Sequence, residues 1–472
     1  MTAPADLITR LADRFGDRII TTGAAIPERY HHDWAGLPPA QPLALARPET
    51  TAEVSALLAF CHDARLPVVP QGGLTGISGA AHPDAGCLVL SLERMAAIEA
   101  LDTEAGTLTA GAGLVLETAQ QAAADAGLML GIDIGARGSC QLGGVLATNA
   151  GGNNVIRYGM ARDHVLGLEV VLADGTVIDG MNAMLKNNAG LDLKQLFIGS
   201  EGLLGVITRC VLRLHPAPSE RATAFLGCAG GDAAVALLGA ARQALGPMLS
   251  SFEVMWPSFF HTMAEGTGLG VPLDGRHGAY VIVEATGFGP GAARGALEAL
   301  FERAFEDGLV EDGILAGSLR EERALWAVRE SPAEYATVLG PIIPFDIGLP
   351  IARMAEAVTV LEAGIAARWP TARALSYGHI GDSNLHLVVN VPEAGANQPE
   401  DAVKAFVYGV TRDFGGTVSA EHGIGLIKRD YLGYSRSPAE IALMRRIKAA
   451  LDPHAILNPG KSFAPDPEER QP

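Results

Sequence analysis

The chain has 472 residues, of which 48% are hydrophobic and 19% charged, and its formal net charge is -18. This length exceeds what one hydrophobic core usually serves, which predicts two or three domains. The negative charge argues against nucleic acid as a partner, because phosphate backbones bind positive surfaces. The five cysteines form no CxxC pair, which argues against a disulfide framework and favours a reducing, cytoplasmic setting.

The first part of the chain predicts a strand-rich α+β domain. Residues 1–41 form a polar lead without the apolar stretch that a signal peptide or membrane span requires. Apolar residues at helical spacing predict an amphipathic helix from Pro48 to Pro67, capped by Thr51. The runs LPVVPQGG, GCLVLSL, LGLEVVLADGTVID and LLGVITRCVLRL predict strands, since they are β-branched and bounded by glycine or Asp-Gly turns.

The sequence pattern changes after His215-Pro216. Ala-rich helical segments at 231–245, 290–308 and 351–368 alternate with the strand candidates GAYVIVEA and RALSYGHI, which predicts a second α+β domain. The tail predicts a helix and a turn, with a frayed stretch from Pro465 to Pro472. The predicted division is therefore a lead segment 1–41, a first domain 42–217, a second domain 218–418 and a C-terminal segment 419–472.

Three glycine-rich segments lie in the first domain. The loop Pro70–Gly79 follows the strand LPVV, and its glycines would let backbone N–H groups approach a diphosphate, although a tight structural turn explains it equally well. Glycines are also dense from Gly131 to Gly152. Such density raises the entropy lost on folding, so a long ligand lying against bare backbone explains it better. The third segment, Gly199–Thr208, is a turn that enters an apolar strand.

Two histidines in SYGHIGDSNLHLVVN are seven residues apart. A helix is disfavoured by the intervening Gly, Asp, Ser and Asn. A hairpin with Gly381–Asn384 as its turn would place Ile380 opposite Leu385 and His379 opposite His386. The two imidazoles could then share one cation. Without a further ligand, ordinary hydrogen bonding of both rings is the better interpretation.

The segment SAEHGIG offers such a ligand, because Glu421 stands beside a third histidine, His422, in a glycine-bounded turn. Two histidines and one glutamate leave an open coordination position, as in catalytic zinc sites. Non-haem iron uses a similar triad, so the pattern leaves the metal open.

The three glycine-rich segments, in this order, resemble the FAD domain of the flavoproteins grouped with vanillyl-alcohol oxidase and p-cresol methylhydroxylase (PCMH). ATNAGGNNVIRYG, VLGLEVVLADGTV and FIGSEGLLGVIT are similar to the branch that holds D-lactate dehydrogenase, the flavin subunit of glycolate oxidase and D-2-hydroxyglutarate dehydrogenase. The resemblance spans roughly Pro42 to Phe463. It implies an α+β fold with a PCMH-type FAD-binding domain and a FAD-linked-oxidase C-terminal domain that binds the substrate.

The resemblance also implies how FAD is bound. The first loop would hold the diphosphate, the second segment the flavin and ribityl chain, and the third the adenosine side, while Asn458 returns to the isoalloxazine. Leu74 follows the glycine pair and no histidine precedes His82, so non-covalent FAD is expected. The implied residues are Pro70, Gln71, Gly72, Gly73, Leu74, Thr75, Gly76, Ser78, Gly79, Ile132, Asp133, Gly138, Ser139, Gly143, Gly144, Thr148, Ala150, Gly151, Tyr158, Gly159, Glu201, Gly202, Gly205, Ile207 and Asn458.

GHxGDxNxH and EHGIG resemble the metal-binding and catalytic motifs of this branch. By that resemblance His379, His386 and Glu421 are the ligands of a divalent metal, with zinc preferred, and His422 is the base. WAVRES resembles the segment whose arginine, here Arg329, binds the substrate carboxylate, a task that suits a bidentate guanidinium. An isolated arginine on a helix would otherwise indicate a solvated salt bridge.

The chain departs from the 2-hydroxyglutarate enzymes at three positions. Ala333, Pro344 and Val388 stand where those enzymes carry threonine, lysine and asparagine. Their loss predicts a more apolar pocket, suited to a smaller or less charged D-2-hydroxy acid than hydroxyglutarate.

The expected function is therefore FAD-dependent oxidation of a D-2-hydroxy acid (lactate-, malate- or hydroxyglutarate-like) to the 2-oxo acid. The electron acceptor would be a quinone or an electron-transfer flavoprotein, and a homodimer is compatible with the resemblance. Two alternatives remain at this point: an oxygen-using 2-hydroxy-acid oxidase, and a flavin-binding subunit without turnover of its own. Intact His379, His386, Glu421 and His422 argue against the second, since a binding module needs neither a metal triad nor a base.

Overall fold

The computed structural model describes residues 4–463, so the stretch from Pro465 to Pro472 lies outside the described residues. The chain forms two compact units. The first comprises the residues up to Gly152, Tyr158–Ala217 and the chain from Glu421 onward, and the second comprises Asn153–Arg157 and Pro218–Ala420. Between residues 4 and 463, no helix combines the length and the apolar character that crossing a bilayer requires.

The first unit is built of short helices and two main sheets. Its helices are Pro4–Ile19, Thr51–Ala64, Leu116–Asp125, Leu142–Thr148, Lys194–Phe197 and Pro438–Leu451. One sheet contains, in spatial order, Ile20–Thr22, Ala44–Ala46, Leu88–Ser91 and Val68–Gln71. The other contains Ile98–Asp102, Thr107–Gly111, Val206–Arg213, Val165–Val171 and Val177–Gly180, while Leu128–Met129 pairs with His215–Pro216. The four predicted strand runs are thereby confirmed, with LGLEVVLADGTVID forming two strands around its Asp-Gly turn.

The amphipathic helix predicted before Pro67 is confirmed as Thr51–Ala64, with its apolar positions buried in the core of the first unit. The predicted cap is wrong by one residue. Thr50 has extended backbone angles, and its side chain accepts a hydrogen bond from the Glu53 amide, as an N-cap residue does. Thr51 is already helical, and its hydroxyl donates to Glu169 instead.

One antiparallel sheet of seven strands organises the second unit. In spatial order the strands are Asp312–Leu315, Glu220–Cys228, Ala279–Gly287, Leu249–Met255, Arg373–Gly378, Asn384–Asn390 and Ile343–Gly348. The helices are Gly231–Leu245, Pro257–Thr267, Ala292–Glu306, Leu319–Trp326, Tyr335–Val338, Met354–Arg368 and Glu400–Asp413, and the turn of helix Val155–Tyr158 begins in this unit. The helices predicted at 231–245, 290–308 and 351–368 are confirmed, as are both strand candidates.

Stacked aromatic rings join the helix Pro257–Thr267 to this sheet. The ring centroids of Phe260 and Tyr280 are 3.9 Å apart, and those of Phe259 and Tyr377 are 4.2 Å apart. Such contacts restrict ring orientation in addition to burying apolar area. Tyr377 is thus held on the strand that leads to the first predicted metal-binding histidine.

The predicted hairpin forms with a different register. Tyr377, rather than His379, lies opposite His386. The first strand ends at Gly378, and His379 begins a 3-10 turn over Ile380–Asp382 that closes with Ser383 in the left-handed region. This turn uses residues that the prediction had assigned to the ladder, so Ile380 does not face Leu385. The rings of His379 and His386 are nevertheless close, with centroids 5.3 Å apart.

Candidate active site

The first unit contains a cavity at the end of the strand Val68–Gln71. Eleven residues implied as FAD-binding lie in its wall: Pro70, Gln71, Gly72, Gly143, Gly144, Thr148, Glu201, Gly202, Gly205, Ile207 and Asn458. The sequence had not singled out Ala80, Ala81, Leu92, Ala112, Gln141, Ala147 and Val206, which also line it. The other implied residues lie outside this wall: Gly73, Leu74, Thr75, Gly76, Ser78, Gly79, Ile132, Asp133, Gly138, Ser139, Ala150, Gly151, Tyr158 and Gly159.

Gly73 has a packing role that the loop motif alone did not reveal. A Cβ atom at this position would lie 2.1 Å from the carbonyl oxygen of Ser139 and 2.8 Å from the Cα of Cys140. Only glycine therefore allows the first glycine segment to contact the backbone of the second. The neighbouring Gly76 has no atom within 4 Å of such a Cβ, so the two glycines are under different constraints.

Two buried glutamine side chains show what kind of ligand suits the cavity. Gln71 donates through Nε2 to the carbonyls of Tyr30 and Ala81, at 3.2 and 2.9 Å, which leaves Oε1 as its remaining group. The Oε1 atoms of Gln71 and Gln141 are buried without a hydrogen-bond partner among the described residues. Both are acceptors, so they require N–H or O–H donors, since unsatisfied buried acceptors are costly.

FAD matches this requirement. Its ribose and ribityl hydroxyls, its adenine amino group and its flavin ring N–H are donors, whereas an ionised diphosphate is not. The described residues therefore fit the cofactor.

The C-terminal segment completes the cavity wall. Asn458 donates through its backbone amide to Val68 at 2.9 Å and through Nδ2 to the carbonyl of Glu201 at 2.6 Å. Lys461, which is 3% exposed, donates to the carbonyls of Ala80 and His82 and to Oδ1 of Asn458. Burial lowers the pKa of Lys461 to about 8. Asn458 is thus fixed in the cavity wall by these hydrogen bonds, and its contact with the isoalloxazine stays a prediction.

The Glu201 carboxylate binds the loop that contains Glu421, His422, Ile424 and Gly425. Its two oxygens accept from the amides of Ile424 and Gly425, each at 2.8 Å, and burial raises the pKa of Glu201. In the same loop, the Glu421 carboxylate accepts from the Gly152 amide at 2.8 Å. The structure thus places the predicted ligand Glu421 and the predicted base His422 in the first unit, both partly buried, with Glu421 beside the Gly151-Gly152 pair.

In the second unit, Glu253, Arg329 and His379 form a buried charged cluster. Glu253 is 1% exposed, with Oε1 2.6 Å from Nδ1 of His379 and Oε2 accepting from Nε of Arg329 at 2.9 Å. The Arg329 guanidinium also lies over the ring of Tyr377, 4.7 Å from its centroid. Arg329 is therefore in a buried ion pair, and the alternative of a solvated salt bridge is wrong.

His379 and Arg329 together keep the Glu253 carboxylate ionised. Burial would raise the pKa of Glu253, but His379 and Arg329 outweigh that effect and lower it to about 2. An ionised carboxylate only accepts, so Nδ1 of His379 carries the proton between them. Nε2 of His379 is then an acceptor, and Nη2 of Arg329 lies within hydrogen-bond distance of it, at 3.2 Å.

His379 and His386 fit a shared metal ion. Each imidazole offers a nitrogen within 4.8 Å of a nitrogen of the other, and Zn–N bonds of about 2.0–2.1 Å can be reached by small side-chain movements. The His386 ring is also 5.0 Å from that of Tyr377, measured between centroids. A carboxylate on the distal nitrogen of a ligating histidine, as Glu253 provides for His379, is the usual second partner at such sites.

Sequence reasoning missed Glu253, although a signal was present. LSSFEVM is a continuously buried strand with a single charged residue, and a charge in such a strand needs a buried partner. That rule predicts an opposite charge nearby but not its identity. Arg329 and His379 lie 76 and 126 residues further along the chain.

Known proteins resemble the chain in both halves. The FAD binding domain family matches residues 42–180, and the family of FAD linked oxidases, C-terminal domain, matches residues 217–462. The chain is 42% identical to the mitochondrial D-2-hydroxyglutarate dehydrogenase of Bos taurus, over 91% of this chain and 78% of that protein. It is 38% identical to the D-2-hydroxyglutarate dehydrogenase of Xanthomonas citri pv. viticola, over 94% of each chain.

A solved structure supports the fold. Substrate-bound p-cresol methylhydroxylase matches over 97% of this chain and 96% of that one, with 16% identity and a TM-score of 0.76. The predicted α+β architecture, with a PCMH-type FAD-binding domain and a FAD-linked-oxidase C-terminal domain, is confirmed. The chain therefore belongs to the family of FAD-linked oxidases, and it is an FAD-dependent oxidoreductase.

Proposed function

We propose that the chain oxidises a D-2-hydroxy acid to the corresponding 2-oxo acid. The observation that carries this proposal is the buried cluster of Glu253, Arg329 and His379, with His386 beside it. It combines a fixed guanidinium, which suits a carboxylate, with two imidazoles that suit a metal ion. The relatives named as D-2-hydroxyglutarate dehydrogenases, and a fission yeast relative named as a putative D-lactate dehydrogenase at 35% identity, support the same class of substrate.

The cofactors have separate tasks in this proposal. FAD, bound without a covalent link, would supply the hydride acceptor. A divalent metal, for which zinc is preferred, would be held by His379, His386 and Glu421 and would acidify the substrate hydroxyl as a Lewis acid. The chain's own residues hold the substrate and move the proton.

Arg329 would bind the substrate carboxylate through its terminal nitrogens, because Nε is already bonded to Glu253. His422 would accept the hydroxyl proton at a ring nitrogen while the hydride leaves C2, so the C–O single bond becomes a carbonyl. The substrate loses one proton and one hydride, which balances the two-electron oxidation.

We further propose a substrate with an uncharged side chain. Val388 lies directly opposite both Leu375 and Pro344, and directly paired residues share a face of the sheet. This apolar row is adjacent, on the same face, to the row that contains Tyr377 and His386, because side chains repeat every second residue. The three side chains offer no charge to a second substrate carboxylate.

For the reoxidation step we propose a quinone or an electron-transfer flavoprotein as acceptor, in line with the relatives named dehydrogenases. Negligible oxygen consumption during turnover would separate this proposal from an oxidase. The cytoplasm is the proposed location, because all five cysteines are buried thiols without a disulfide.

The base assignment is tested with His422→Ala. The variant should bind FAD as the wild type does but reduce it at least about a hundredfold more slowly, since general base catalysis contributes 10²–10⁴-fold. The measurement is anaerobic stopped-flow bleaching of the flavin by a panel of D- and L-2-hydroxy acids, with and without a chelator. His454→Ala is a matched control, since that exposed histidine lies outside the proposed site. Bleaching by His422→Ala at the wild-type rate would refute the assignment.

A further inference from the structure

We propose that Glu253 is a positioning residue whose single carboxylate orients both a metal-ligating histidine and the arginine that binds the substrate. This inference rests on the proposed function and deepens it. Glu253 lies on the strand Leu249–Met255, two strands away from Asn384–Asn390, which carries His386. Its position in a buried strand restricts its movement, so its two oxygens define fixed points for both partners.

The first oxygen selects one tautomer of His379. Oε1 is 2.6 Å from Nδ1, and Ser251 also donates to Oε1 from its hydroxyl, at 3.3 Å. With the proton held on Nδ1, Nε2 is the ring nitrogen that can act as an acceptor or as a metal ligand, and Nη2 of Arg329 lies 3.2 Å from it. Without this contact the ring could adopt the opposite tautomer or rotate, and metal binding would have to offset that freedom.

The second oxygen fixes the direction of Arg329. Oε2 accepts from Nε, and the ring of Tyr377 supports the guanidinium face. Of the terminal nitrogens, Nη2 lies 3.2 Å from Nε2 of His379, so the two partners of Glu253 are also adjacent to each other. The negative charge of Glu253 also offsets the repulsion between the guanidinium and a cation bound at His379, since both positive groups lie in a buried, weakly screened setting.

Stability alone explains this cluster poorly. Desolvating charged groups is unfavourable, and well-packed apolar replacements of buried ion pairs are often as stable or more stable. A buried charged group that contacts both a candidate ligand and a candidate substrate anchor is better explained by function.

The test is Zn²⁺ binding to the FAD-loaded protein. After removal of bound metal with a chelator, Glu253→Gln should bind Zn²⁺ about 10- to 100-fold more weakly than the wild type, as outer-shell substitutions do. KM for the hydroxy acid should also rise, because Arg329 loses its anchor. Glu284→Gln is the matched control, since Glu284 is buried on the adjacent strand with Ser250 and Arg221 as its described partners. It should keep the wild-type Zn²⁺ affinity.

A His379→Asn background separates positioning from general structural damage. There, adding Glu253→Gln should change the Zn²⁺ affinity less than twofold, because its effect passes through the missing imidazole. If Glu253→Gln misfolds, Glu253→Asp takes its place, since a side chain one methylene shorter cannot keep both contacts. Wild-type affinity in a folded Glu253 variant would overturn the inference and leave the proposed function standing. A wild-type protein that binds no Zn²⁺ would overturn both.

Discussion

Lys461 is a buried cation with three hydrogen-bond acceptors, two of which belong to residues that line the cavity of the first unit. Two of its partners, Ala80 and Asn458, line the cavity wall. The ammonium therefore joins the C-terminal segment to the loop that follows the first glycine motif. Burial of this charge is unfavourable, as its lowered pKa shows, so these contacts must offset that cost.

Replacing Lys461 with Met keeps the length of the side chain and removes all three donors. Each hydrogen bond to a charged group contributes about 1.5–3 kcal/mol, so we expect FAD affinity to fall at least about tenfold, measured by fluorescence titration of the FAD-free protein. Lys186→Met, on an exposed segment, should bind FAD as tightly as the wild type. If Lys461→Met binds FAD as tightly as the wild type, the three hydrogen bonds of Lys461 do not contribute to FAD affinity.

Among the elements, the first glycine loop contains glycines that are under different packing constraints. Gly73 is required by a backbone contact with Ser139 and Cys140, whereas Gly76 faces open space. The structural explanation for this motif therefore applies to Gly73 and not to Gly76.

Gly73→Ala should destabilise the protein even without FAD, because its methyl group would overlap backbone atoms that cannot rotate away. Overpacking of this kind costs about 1–3 kcal/mol, which urea denaturation of the FAD-free protein would detect. Gly76→Ala is the matched variant in the same loop and should leave this free energy of unfolding unchanged. Equal stability of the two variants would contradict the packing argument.

Across the whole molecule, charge bears on the choice of substrate. The net charge of -18 disfavours the approach of a dianion, and the one candidate guanidinium is already paired with Glu253. A second substrate carboxylate would therefore meet an acidic molecule and an apolar row without a compensating cation.

We expect kcat/KM to be at least about tenfold higher for D-lactate or D-2-hydroxyisovalerate than for D-2-hydroxyglutarate, since a buried, unpaired carboxylate costs more than 1.4 kcal/mol. Initial rates with an artificial electron acceptor measure this ratio. Pro344→Lys should reduce this ratio of kcat/KM values, because it adds a cation beside Val388. A wild-type preference for D-2-hydroxyglutarate would contradict the uncharged-side-chain proposal.

The amino-acid sequence by itself determined the family, the fold class and most of the elements. Helix Gly231–Leu245 and strand Val206–Arg213 follow from local periodicity, because an apolar pattern with period 3.6 or 2 has one stable way to be buried. The choice between neighbouring cap residues and between alternative turns was harder to predict. Thr50 rather than Thr51 caps its helix, and a 3-10 turn displaced the expected register at His379.

Only the tertiary structure decided which distant side chains meet. Glu253, Arg329 and His379 are remote in sequence, and their pairing depends on strand order and on which face each strand buries. The same holds for Glu201 and the amides of Ile424 and Gly425, 223 and 224 residues away. Local sequence patterns reflect how each segment forms its backbone hydrogen bonds and buries its apolar face. A buried charge, in contrast, is stabilised by whichever partner the folded chain brings near it.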